Sequence, residues 1–497
     1  MPPLVGRALA VLLLATSTSR PLAPAATGPP TAADLAGTWA GTLTHDGETR
    51  EVAIQLQPGK DDSTLVTSYT LPAIHLDQVV FGPLRFTAQP DSVRIGPFRL
   101  AYDSAAGTLS GLMPAGLVPV YSMPIRLHRV DRYQPPARPP LTAPRIEPEW
   151  TFMAGSPLWA GPTFAGGAVY VGAQDGTVYA LDARTGTRRW TFRAGGPIRT
   201  RPTVSGGSVV LQADDGFLYC LAASTGELHW RVRVVDVPIE RLPFDNPRSR
   251  YDRFGSDVTA SGGRLYVGTH GGMLVALDPA DGRRIWEFRA SDAVLAAPAV
   301  VGDRVLFGSY DHFVYALDAA TGRLIWKRDT RGAVVSTPAV VGDRIVVGNR
   351  CYDLLGLDAR TGEVAWKHYI WSSWVESSAT IRDGVAYVGS SDAAALYAFD
   401  ARSGRRRWAT DVYGWAWGQP AVTRDRVYTG TSSQVGYLAQ HAGGLLALDR
   451  ASGAIVWQFA SPPADSGAYG FPGSPALGMG RVFASGLDGR VYAFPQR

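Results

Sequence analysis

The chain has 497 residues, with 56 Gly, 36 Pro and 10% aromatic residues, which is too long for one ordinary domain and points to many short strands and turns. Its 48 basic and 43 acidic residues are interspersed, and the longest basic run is Arg405-Arg406-Arg407. A formal charge of +5 spread in this way supplies no basic stripe and gives no support for nucleic-acid binding.

Residues 1–25 read as an export signal. Arg7 supplies the positive start, Ala8 to Ala15 the short apolar core, and Ala23-Pro24-Ala25 the small residues of a cleavage site. That core is too short to span a bilayer, and no later run reaches the roughly 18 apolar residues that a transmembrane segment needs. No Cys follows it to carry a lipid anchor, so the expected location is periplasmic or secreted. Residues 26–34, rich in Pro, Ala and Thr, are expected to be disordered.

Residues 35–132 read as short alternating strands: Gly37-Leu43, Glu51-Gln57, Ser63-Leu71, Gln78-Phe81, Leu84-Thr87, Phe98-Tyr102, Leu109-Met113 and Val120-Arg129. Clusters such as Asp46-Gly47 and Gly59-Lys60-Asp61-Asp62 punctuate them. This many strands in under 100 residues predicts a small β-barrel-like domain. Gly37-Thr38-Trp39-x-Gly41-x-Leu43 and Pro124-Ile125-x-Leu127-x-Arg129 resemble the small β-domain attached ahead of bacterial exported hydrolases. His45, His75 and His128 are scattered and read as surface or internally satisfied residues. Residues 133–148 hold six Pro and read as a semi-rigid linker.

From residue 149 to 497 a period takes over. Ala-Leu-Asp-Ala-x-Thr-Gly-x-x-x-Trp, cleanest from Ala316 to Trp326, ends at Trp190, Trp230, Trp286, Trp326, Trp366, Trp408 and Trp457. Between these Trp residues each unit reads as four strands: a Pro-Ala-Val type strand such as Pro298-Val301, then Arg304-Gly308, Phe313-Leu317 and the Trp-bearing Arg323-Arg328. Four antiparallel strands per unit of about 40 residues predict a propeller blade. The Asp fixes the turn by accepting backbone hydrogen bonds, the Gly supplies a positive φ, and the Trp docks one blade on the next. The last unit ends one strand short, and Trp150, in Glu149-Phe152, has no such turn ahead of it. The fold expected is therefore all-β: an eight-bladed propeller of four-stranded blades, closed by its own N-terminal strand and preceded by the barrel. Cys220 takes the place of the repeat's Ala and reads as a filler of a small buried slot; with Cys351 in a distant turn, no bridge is expected.

The consensus VYVG-x-x-DG-x-VYALDA-x-TG-x-x-x-W, of which Val169 to Trp190 is a good copy, resembles the pyrroloquinoline quinone (PQQ) type propeller repeat. Two functional branches share that resemblance: the quinoprotein alcohol dehydrogenases, and the non-catalytic eight-bladed propeller of the outer-membrane β-barrel assembly machine. The second implies no cofactor, no catalytic residue and a protein or peptide partner in the cell envelope, bound by a monomer. The first implies PQQ held against two adjacent Cys, with Ca²⁺ on acidic ligands. This chain has no adjacent Cys pair, and Asp257 and Glu376 are its candidate Ca²⁺ ligands.

Candidate binding residues are those that escape the repeat. The segments that lead into the first strand of each blade should ring one mouth of the central channel, and they bring Trp159, Arg201, Asp257, Glu376, Trp417 and Gln419 there. Trp371, Trp374, Trp415 and Trp417 are extra to the docking set and, with Tyr369 and Tyr413, form an aromatic cluster suited to a sugar, a peptide aromatic or a flat cofactor, which leaves a carbohydrate-binding propeller as a further reading. Two insertions, Asp236 to Gly255 and Ser432 to Gly444, break the period and mark loops where function concentrates.

Overall fold

In the computed structural model the described residues are 28–114, 121–236, 239–240, 253–439, 441–463 and 467–496. The expected export signal at 1–25 and most of the 236–255 insertion lie outside them.

The N-terminal domain is a closed up-and-down barrel of β1 (Gly37–His45), β2 (Glu48–Pro58), β3 (Thr64–Leu71), β4 (Leu76–Gln89), β5 (Ser92–Ile95), β6 (Phe98–Asp103), β7 (Thr108–Pro114) and β8 (Ser122–Val130), with β1 paired to β8. Strand alternation builds its core, as where Met123, Ile125 and Leu127 of β8 turn inward beside Trp39, Val52 and Leu109. The expected eight strands are not all the observed ones. Gly82-Pro83 does not end a strand, because a bulge opposite Val66/Thr67 carries β4 through it. The short β5 was hidden between turn residues.

The expectation of disorder at 26–34 is corrected for the residues described. Ala32–Leu35 form one helical turn with a capping box, in which Thr31 Oγ1 accepts from the Asp34 N–H and the Asp34 carboxylate accepts from the Thr31 N–H at 2.8 Å. Leu35 is fully buried against the barrel core, and its carbonyl accepts the Trp39 Nε1–H at 2.8 Å. One large apolar side chain and a cap outweigh the polar composition around them.

The linker is likewise docked. Pro residues leave backbone carbonyls without competing donors, and the seventh propeller blade (Ala421–Val422, Arg426–Gln434, Gly444–Asp449 and Ile455–Ala460) supplies donors for them. Gln458 Nε2 donates to Leu141 O and Ala143 O, Gln458 N donates to Pro144 O, and Ile146 N donates back to Gln458 O. Residues 138–146 thus form a strap along blades six and seven, pinned at its start by Arg138 to Asp411 and by the Tyr413 hydroxyl to Pro139 O.

Eight four-stranded sheets follow. Blade four, with Ala299–Val301, Arg304–Gly308, Phe313–Asp318 and Leu324–Asp329, is typical. The eighth sheet is completed by β9 (Trp150–Met153) against Arg490–Pro495, so the N-terminal strand closes the ring. The repeat motif acquires a geometric reason here. Trp286 Nε1 donates to Ala319 O of the next blade at 3.0 Å, and Trp150, Trp190, Trp230, Trp366 and Trp408 make the equivalent bond. The indole lies on the next blade's turn Gly. A Cβ on Gly322, whose φ is +74°, would stand 2.7 Å from the Trp286 ring, and the same clash recurs from Gly186 on Trp150 to Gly453 on Trp408. Opposite each Trp in its own sheet stands a small residue, such as Ala316 by Trp326 and Cys220 by Trp230. Trp457 completes the set against Phe494 of the eighth blade, at 6.1 Å between ring centroids.

The barrel rests on blades five and six with its β1–β2 end. Tyr369 and Trp371 join the barrel's own core, and Trp371 Nε1 donates to Glu48 at 3.0 Å. At the centre of this seam the Tyr121 hydroxyl donates to the Asp353 carboxylate at 2.7 Å and accepts from Arg331 and Lys367 at 2.9 and 3.0 Å. Burial raises the pKa of both Asp353 and Tyr121. The Ser432 to Gly444 insertion is an arm: Ser432–Gln434 pairs with Ala468–Gly470, and Ala439 bridges to Leu76 of the barrel.

Candidate functional site

The channel mouth is built where each blade's first strand begins, since these segments converge on the axis. Arg199, Arg201, Asp257, Glu376, Trp417 and Gln419 line one cavity of about 100 Å³ there, together with Tyr310 and Arg350. Its charges are matched within the ring. Arg199 Nε donates to Asp214 at 2.8 Å, and Arg350 Nε to Glu376 at 2.7 Å. Asp257 accepts the Arg201 backbone N–H at 2.7 Å, while the Arg201 guanidinium reaches Pro162 O and Thr163 Oγ1. Burial pushes the Asp257 carboxyl up to about 6, opposed by Arg201, and the same burial lowers the Arg201 pKa. Gln419 donates its side-chain amide to Ala379 O and its backbone N–H to Ser474 Oγ. Trp159 stands edge-on to Phe254, with Arg253 over its ring at 5.2 Å.

The aromatic cluster divides three ways. Tyr369 and Trp371 belong to the barrel seam, and Tyr413 to the strap, where Arg138 lies over its ring at 4.5 Å. Trp415 and Trp417 stack at 4.7 Å and 12°, and Trp374 lies under Arg350 at 4.7 Å. Trp371, Trp374, Trp415 and Trp417 nevertheless face one chamber of about 670 Å³, which the open end of the barrel shares with the propeller mouth. Asp392 sits in its wall and accepts from Trp415 Nε1 and the Tyr437 hydroxyl; burial raises its pKa.

The family model described as "Outer membrane protein assembly factor BamB" matches residues 147–242, 220–378 and 370–497, which together span more than half of the chain. The chain belongs to this family. Among solved structures, BamB from Moraxella catarrhalis is similar at 19% identity and a TM-score of 0.54, over 70% of this chain and 96% of that one. Quinohemoprotein alcohol dehydrogenase from Comamonas testosteroni is similar at 15% identity and 0.52, over 70% and 76%. The computationally designed Ika8 protein is similar at 16% identity and a TM-score of 0.56, over 69% of this chain and 97% of that one. At these identities the likenesses establish the fold that this BamB-family chain shares with both branches, the PQQ-type propeller. No curated protein matches the chain. The family match begins at residue 147, so the barrel lies outside it.

The dehydrogenase cofactors do not fit the residues present. Cys220 and Cys351 are free, buried and in different blades. The axial cavity of about 100 Å³ is well below the roughly 300 Å³ at which small-molecule sites begin. Asp257 and Glu376 line it, but each already has its donor, and no group of three or more His, Cys, Asp or Glu is placed to hold a metal among the described residues. No helix among them is long and apolar enough to cross a membrane.

Sequence reasoning missed Arg350, Asp214, Tyr310 and Ser391. All occupy the second position of the turn between a blade's second and third strands, where Gln174 and His270 stand elsewhere. That slot carries Gln, Asp, His, Tyr, Arg and Ser in the first six blades, whereas the position after it is Asp in four of them, and this contrast was the available signal.

Proposed function

We propose that this chain is an exported, non-catalytic propeller that serves as a protein-binding module of the cell envelope, acting as a monomer on a protein or peptide partner. The observation that carries the reading is the BamB-family match across the whole propeller, residues 147–497. The export element rests on the Arg7-led apolar start of the sequence. The mouth agrees with a binding role, because its buried charges answer one another: Arg199 is held by Asp214 and Arg350 by Glu376. On this reading the partner meets the mouth at Trp159, Arg253 and Phe254, which stand together at its edge, the last two also lining the chamber shared with the barrel.

The test is chemical cross-linking of the mature protein to solubilised envelope from its own cells, with Arg253→Glu as control. The reading expects one saturable protein partner whose capture is lost in the variant. Alcohol-dependent dye reduction after addition of PQQ and Ca²⁺ would overturn it.

A further inference from the structure

The chamber between the barrel and the propeller mouth is not accounted for by protein binding. We propose that it binds one long-chain fatty acid, with the hydrocarbon tail between barrel and mouth and the carboxylate at Arg50. The volume of about 670 Å³ falls inside the roughly 300–1,000 Å³ of small-molecule sites.

The walls select a flexible apolar chain. Leu43, Leu84, Met113 and Met123 line the barrel end, and thioethers adapt to a chain that can bend. Trp415 and Trp417 form the far wall. The acids in the wall are already engaged, Glu376 by Arg350 and Asp392 by Trp415 and Tyr437, so they ask for no cation on the ligand. The rim carries apolar side chains that face water: Phe81 of β4 is 39% exposed and Leu438 of the blade-seven arm 59%, and both line the chamber. Exposed apolar side chains gathered on the two elements that flank an apolar interior mark a path for an apolar ligand rather than ordinary surface.

The head group follows from charge. Glu48 is shared by Arg50 and Arg406, at 2.9 and 3.3 Å, so this trio carries one guanidinium charge more than its carboxylate neutralises. Arg50 lies over Trp371 and lines the chamber, and its Nε is buried without a partner among the described residues. A carboxylate is complementary to that arrangement.

The experiment titrates full-length protein with a fatty acid brominated at mid-chain and reads quenching of Trp fluorescence. The proposal expects saturable quenching at one ligand per chain. Ala73→Phe, which fills the chamber from a partly exposed position, should abolish it, and Arg50→Gln should weaken it about tenfold, the loss of one charge-assisted hydrogen bond. Ala73→Phe should keep the parent Tm. Absence of saturable quenching, or quenching unchanged in Ala73→Phe, would overturn the chamber as the site. A brominated alcohol binding as tightly as the acid would overturn the carboxylate assignment, and tighter binding of a lysophospholipid would overturn a free fatty acid as the ligand.

Discussion

The propeller and the barrel are held together on opposite plans. In the propeller one contact is used again and again: an indole on a turn glycine, with its N–H on a carbonyl of the next blade. At the barrel seam nothing repeats. Tyr121 meets Asp353 across 232 residues of sequence, and Glu48 meets Trp371 across 323. Repetition gives the ring many equivalent wedges, whereas each seam contact is made once. The same contrast separates scaffold from function. Both the channel mouth and the chamber owe their chemistry to residues that the repeat does not dictate.

Substitutions can break this comparison. The largest effect should come from a wedge. Trp286→Ala removes a large, partly buried indole between blades three and four, and should cost about 3 kcal/mol in chemical denaturation. Next is the seam. Tyr121→Phe leaves the buried Asp353 carboxylate without its hydroxyl, and should cost about 1–3 kcal/mol by the same measurement.

A smaller effect is set by pH where the blade-seven arm meets the barrel. Burial, with Arg138 and His75 nearby, lowers the His441 pKa from 6.5 to about 3. Asp411 and Asp392 oppose this, and burial and Arg138 lower His75 as well. A histidine kept neutral in the fold takes up its proton more readily when unfolded, so its stability is present above pH 6.5 and is lost as pH falls towards 3. Between pH 7 and 5.5 the wild type should lose about 1 kcal/mol more than His441→Gln. The smallest effect should be Arg406→Gln at the partly exposed Glu48 pair, roughly 0.5 kcal/mol and reduced by salt.

What was legible in the sequence follows the same division. Trp150 could be assigned to the eighth blade because a period exposes its missing member. Cys220 could be placed because seven other strands show a small residue opposite the Trp. The barrel was legible as alternation, but Gly82-Pro83 looked like an end because a bulge leaves no mark in one strand alone. The docking of Trp371, Tyr413 and residues 138–146 was not legible, since each depends on a partner far away that no pattern announces. Trp415 and Trp417 were found for the opposite reason, as aromatic residues in positions where the repeat has none.

The central claim is that the barrel and the propeller are one cooperative body whose seam makes the chamber. Differential scanning calorimetry of the full chain, with Tyr121→Phe as comparison, tests it most directly. The account predicts one transition for the wild type, with the barrel melting first as a separate transition in the variant. Two independent transitions in the wild type, unmoved by Tyr121→Phe, would contradict it.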